Sequence, residues 1–154
     1  MEDILNHLII YLGARLILCP VPPFLFPRRY QMLQLKPLDQ NVPFFQQINT
    51  DISPVVLVNV FQVAEEDIPA LLKAWEADAN WMKQQPGYIS TRLHQGIAGS
   101  TVFMNYAVWE SVAHFRVAFT HPEFKQALEH YPSSAVASPH LFTRLTVSNL
   151  CVGP

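Results

Sequence analysis

Residues 103–111 read FMNYAVWES, an apolar run that carries an amide at Asn105 and an indole at Trp109. Side chains alternate along an extended chain, so Phe103, Asn105, Ala107 and Trp109 share one face and Met104, Tyr106 and Val108 the other. An amide on an apolar face needs partners, because an unsatisfied buried polar group costs on the order of 1–3 kcal/mol. Asn105 therefore either ties backbone groups together or meets a ligand. Asn59 interrupts the valines of VVLVNVFQV, residues 55–63, on the same face as Leu57 and Phe61, which makes it a second polar group able to converge on a pocket. His94 ends the alternating run YISTRLHQ. With an unperturbed pKa of about 6.5 it could move a proton near neutral pH, or be merely solvated.

These side chains are positioned by a regular series of elements. Residues 55–63 are β-branched and bounded by Pro54 and by acidic residues, the pattern of a buried strand. Ile68, Leu71, Leu72, Trp75, Ala79 and Met82 then recur at steps of three and four, which predicts an amphipathic helix stopped by Pro86-Gly87. Residues 88–95 and 101–109 form a hairpin about Gly96 and Gly99. Ser111 is placed to cap a helix carrying Val112, Phe115 and Phe119, and Thr120-x-x-Glu123 reads as a capping box opening a second short helix through Phe124 and Leu128. After a loop rich in Ser, Ala and Pro, HLFTRLTVSNL, residues 140–150, supplies a last strand.

The order β, α, β, β, α, β over residues 54–150 is the split βαβ arrangement of ferredoxin-like α+β folds. Helices cover one sheet face. The other keeps Met104, Tyr106 and Val108, an apolar patch of the kind that marks a partner surface, so a homodimer packed sheet on sheet is expected.

Residues 1–53 differ in character. Pro20, Pro22, Pro23, Pro27, Pro37 and Pro43 break both helix and inner strand. The segment is expected to be an irregular extension to the domain at 54–150, a short apolar helix plus a proline-rich tail, whose apolar side chains need a surface to cover on that domain or on a partner subunit, unless it is translated sequence upstream of the true start. Its apolar stretch, residues 4–19, contains His7 and Arg15 and falls short of the ~20 apolar residues a membrane span requires. Glu2 and Asp3 occupy the flank that a secretory signal makes positive.

Composition narrows the function. The chain has 154 residues, half of them apolar, and a formal charge of -2, enough for one cored domain and without the basic patch a nucleic-acid surface needs. Cys19 and Cys151 lack CxxC spacing and His7, His114, His121 and His140 lack metal-ligand spacing, which argues against a disulfide framework and a zinc site and suits a reducing, cytoplasmic setting. No GxGxxG, P-loop or GxSxG element occurs.

PGYISTRLH together with VFMNYAVWES resembles the antibiotic biosynthesis monooxygenase family, above all its members that oxidise aromatic polyketides or quinols. The shared features are the Pro86-Gly87 turn, His94 at the end of its strand, and the Asn105-Tyr106-Ala107-x-Trp109-Glu110-Ser111 run. The resemblance implies a dimeric α+β barrel with a pocket between sheet and helices, and an oxygenase that needs neither metal nor flavin. Its substrate would be a reduced polycyclic aromatic or quinol-like molecule, whose anion passes an electron to dioxygen directly. Asn105, Trp109 and His94 are then the catalytic candidates, Asn105 as an oxyanion donor worth about 2–4 kcal/mol. Asn59, Arg92, Phe115, Phe119 and Lys125 are the substrate-binding candidates.

The chain also departs from the family. Phe115 and Lys125 stand where polyketide enzymes tend to carry tyrosine and arginine, removing a phenolic donor and a bidentate clamp. Ala118 and Leu128 replace the pocket tryptophan and iron-ligating histidine of haem-degrading relatives. A non-catalytic dimeric protein binding an aromatic ligand is thus the alternative, and an assembly role centred on the extension a third.

Overall fold

The computed structural model describes residues 33–151. In chain order its elements are β1 (Gln34–Leu35), α1 (Phe44–Gln47), β2 (Val55–Gln62), α2 (Ile68–Met82), β3 (Tyr88–Gln95), β4 (Val102–Trp109), α3 (Val112–Thr120), α4 (Pro122–Ala127) and β5 (Val136–Phe142). Short 3-10 turns at Glu65–Asp67 and Leu128–His130 introduce α2 and follow α4. The strands form one sheet in the order β1-β5-β2-β4-β3, antiparallel except for the short β1 edge. From β2 onward this is the ferredoxin-like βαββαβ arrangement expected from the sequence, and the described residues lie within one compact unit, Gln31–Pro154. The apolar stretch at 4–19, Cys19 and the prolines up to Pro27 fall outside the described residues. Among the described residues no helix is long and apolar enough to cross a membrane.

Residues 33–53 pack directly on this domain. Phe44 and Ile48 are buried in its core, Phe44 meeting Phe119 edge-on at 5.1 Å between ring centroids. Gln47 is buried too, and its Oε1 accepts from the Leu141 amide at 2.7 Å, satisfying an edge donor of β5. Arg116 on α3 donates to the Ile48 carbonyl. The prolines break regular structure as expected, yet the apolar residues between them still have area to bury, worth about 1.5–3 kcal/mol for each large side chain.

The last strand is Val136–Phe142, so it starts four residues before the expected His140, runs through Pro139 and stops at Phe142 instead of continuing to Leu150. Proline is tolerated because it is opposite Asn59 on the flank of β5 that would face β1, and β1 reaches only Val136 and Ala137. The missing N–H is thus at an edge. Helix starts are also set locally. Ser111 accepts from the His114 amide, as expected, but α4 is capped by His121, which accepts from the Glu123 amide, while the Thr120 hydroxyl donates back to Arg116.

The inner sheet face reads, in rows across β2 and β4, Val55 with Trp109, Leu57 with Ala107, Asn59 with Asn105, and Phe61 with Phe103. Apolar rows on either side feed two separate core clusters, one around Trp109, Val112 and Phe115, the other around Phe61, Leu71 and Tyr131. The asparagine row divides them.

Candidate functional site

A cavity opens where the core is divided, between the asparagine row and the helices. It offers about 80 Å3 to the centre of a water molecule. Small side chains leave the space: Ala107 and Pro139 on the sheet and Ala79 on α2 all border it. Aromatic rings form much of the wall. Trp109, Phe115 and Phe119 form a chain of rings, Trp109 to Phe115 at 5.5 Å and Phe115 to Phe119 at 5.6 Å, and Tyr88 meets Trp109 at a right angle. Such a wall suits a flat apolar ligand.

Polar groups enter this lining at few points. Thr91 Oγ1 donates to Asn105 Oδ1 at 2.5 Å. With its oxygen engaged, Asn105 is left with its NH2 as the free end of the amide, a donor. Asn59 Oδ1 is buried and has no hydrogen-bond partner. Across the cavity Asp78 extends the buried stripe Leu71, Ala74 of α2, and its Oδ1 also lacks a partner. Loss of water around the carboxyl raises its pKa to about 6, against the opposing pulls of the Tyr131 hydroxyl and the charge on His130. Burial, reinforced by Asp78, pushes the Tyr131 hydroxyl well above its usual value. Burial also raises Tyr88.

The structure therefore brings together Asn59, Asn105, Trp109, Phe115 and Phe119 among the residues singled out from the sequence. It does not bring His94, Arg92 or Lys125 to them. His94 pairs with Met104 and Arg92 with Tyr106, so both point to the opposite face of the sheet, where they border a shallow groove with Ser90, Met104 and Tyr106. The cause is a bulge between Tyr88 and Ser90. One extra residue there inverts the alternation of the rest of β3, turning Thr91 and Leu93 inward and Arg92 and His94 outward. Lys125 is exposed on α4 while its neighbour Phe124 takes the inward position.

Asp78, Thr91, Tyr88 and Tyr131 line the cavity without having been singled out. Asp78 had a visible signal, since it lies three residues after Trp75 and four before Met82 in the apolar stripe of α2. Thr91 had none, because its orientation follows from the bulge. Gly87, with φ +79°, packs its bare Cα against His114 and starts β3 so that Tyr88 meets Trp109. Among the described residues no group of three or more His, Cys, Asp or Glu side chains is placed to hold a metal ion.

Residues 54–130 match the family profile "Antibiotic biosynthesis monooxygenase", and the chain belongs to that family. The fold is shared by solved structures. SnoaB, a cofactor-independent oxygenase from Streptomyces nogalater, is 23% identical over 64% of this chain and 99% of its own, with a TM-score of 0.56. A proposed monooxygenase from Shewanella loihica PV-4 is 34% identical over 64% of this chain and 100% of its own, with a TM-score of 0.53. A proposed antibiotic biosynthesis monooxygenase from Caulobacter crescentus CB15 is 13% identical over 61% of this chain and 92% of its own, with a TM-score of 0.56. No curated protein matches the chain.

Proposed function

We propose that this protein is a cofactor-independent monooxygenase that oxidises a reduced, flat aromatic molecule with dioxygen. Family membership supports a monooxygenase role. The observation that carries the finer claim is the asparagine pair set into an aromatic-walled cavity dividing the core. In such an oxidation the substrate supplies all the electrons. An anthrone methylene loses two hydrogens and gains one oxygen atom as a ketone, while the second oxygen atom leaves as water, so no external reductant is needed. The protein's part is to bind the ring system, exclude water and stabilise the anion from which an electron passes to dioxygen. The Asn105 amide is the donor for the developing oxyanion, and Trp109 the wall that orients the rings.

A second copy of the chain is the proposed cover for the outer sheet face. Val56, Val58 and Val60 lie there half-buried beside Met104 and Tyr106, a contiguous apolar surface of the kind that pairs between subunits.

The test is oxygen uptake by metal-stripped protein given anthrone or 1,4-naphthohydroquinone under conditions of slow autoxidation. Product formation proportional to enzyme is expected. Tight binding of such molecules with no turnover across a broad panel would instead establish a non-catalytic binding protein. That alternative is favoured by one feature: Phe115 and Lys125 put neither a phenol nor a cation into the cavity.

A further inference from the structure

We propose that Asp78 is the proton acceptor of this cavity, selecting aromatic ligands that present a hydroxyl group and taking the hydroxyl proton. Asp78 and Asn59 both line the cavity, and Oδ1 of each is buried without a hydrogen-bond partner, the Tyr131 hydroxyl serving the Asp78 carboxyl from its other side. A buried acceptor left unmet costs on the order of 1–3 kcal/mol, more when charged, so a ligand that brings an O–H recovers what folding left open. A hydroquinone or phenol does this. The corresponding quinone or methyl ether offers only acceptors and cannot.

Asp78 is better suited than its neighbours to the role. An amide presents either its oxygen or its NH2 according to rotation, whereas an ionised carboxylate accepts from either oxygen. Asp78 is only 6% exposed, so water does not compete freely for it. The groups that tune it are identifiable: Tyr131 and His130, after α4, favour its ionised form, and burial opposes them. Tyr88, at the start of β3, borders the same cavity, and β2 and β4 contribute the neutral amides Asn59 and Asn105. A carboxyl poised at about 6 is largely ionised at neutral pH and still a useful base. The step is balanced for a hydroquinone, a phenol or the enol form of an anthrone: the substrate O–H breaks, its electron pair stays on oxygen, the proton goes to the Asp78 carboxylate, and in the proposed oxygenase the anion left behind passes an electron to dioxygen.

Only the final use of the anion rests on the oxygenase proposal, because selection by Asp78 is visible in binding alone. The test compares anaerobic binding of 2-naphthol and 2-methoxynaphthalene to wild type, Asp78→Asn and Asp78→Leu, by fluorescence titration. At about pH 8 the wild type should prefer the naphthol by at least about tenfold, as expected for a hydrogen bond to a charged group, and both variants should lose that preference. The wild type should also lose it as pH falls through about 6, a readout independent of whether a variant folds. If oxygen uptake occurs, its rate should rise with pH through the same value in wild type but not in Asp78→Asn. Equal affinities in wild type, or a preference that survives both substitutions, would overturn the role of Asp78 while leaving the oxygenase proposal intact. Selection that depends on Asp78 with no oxygen uptake from any reduced aromatic would uphold the role and reject the oxygenase.

Discussion

Asn59 and Asn105 are directly paired across β2 and β4, and together they replace an apolar row in the middle of the sheet's inner face. Apolar rows flank them on both sides, so burial of the strands is secured without them. The pair leaves a divided core and a cavity with polar groups on its floor.

Replacing Asn105 with alanine should lower kcat for a competent reduced aromatic by about 100- to 1000-fold, the usual consequence of removing one oxyanion donor. Near-UV circular dichroism should stay native-like. Oxygen uptake at the wild-type rate would remove Asn105 from the chemistry.

Thr91→Val should act through Asn105. Without its hydroxyl partner the amide can rotate, and kcat should fall by roughly tenfold, the equivalent of one lost hydrogen bond, with KM little changed. Thr91→Ser should restore most of the rate. Steady-state kinetics on the three proteins would decide this, and a change confined to KM would contradict it.

Asp78 makes stability depend on pH. Its folded pKa of about 6 lies above the ordinary 3.8, so the folded state holds the proton more tightly than the unfolded chain. The associated stabilisation is complete below about pH 4 and is lost as pH rises through about 6, a change on the order of 3 kcal/mol. Asp78→Asn cannot ionise. Denaturant titrations should therefore show the variant gaining on wild type between about pH 4 and pH 7. A constant difference across that window would mean that Asp78 ionises normally in the fold.

His94→Ala and Lys125→Ala should each leave kcat/KM within about threefold of wild type, as for surface groups remote from a reacting centre. A loss of a hundredfold in either would show that its side chain reaches the substrate after all.

The outer face should hold a dimer together. Tyr106→Glu places a charge among Val58, Arg92 and Met104, and should shift the protein from dimer to monomer in light scattering behind size exclusion. A monomeric wild type would dismiss this interface.

Much of this architecture is legible in the chain. The β-branched run at 55–63, the three-and-four spacing from Ile68 to Met82, and the hairpin about Gly96 and Gly99 each have a local cause, and each forms where expected. Asn105 and Trp109 share one face because alternation is strict within the unbroken strand β4, and Asn59 joins them because register pairs it directly with Asn105 from β2. The facing of His94 and Arg92 was not legible, since the Tyr88/Ser90 bulge depends on how two strands accommodate one another. Asp78 was legible as an acid inside an apolar stripe, but its unmet oxygen was not. Nor was the role of Phe44, Gln47 and Ile48, whose proline-rich surroundings obscure the surface they cover.

The sequence by itself determined which segments become strands and helices and which of their faces are apolar, because those properties follow from the repeat of the backbone and the chemistry of neighbouring side chains. Only the tertiary structure decided which polar groups meet in the cavity. That meeting depends on register, on a single inserted residue, and on small side chains such as Ala79, Ala107 and Pro139 that leave space between distant segments. Desolvation, which raises Asp78 and leaves Asn59 unmet, arises only once those segments have closed around them.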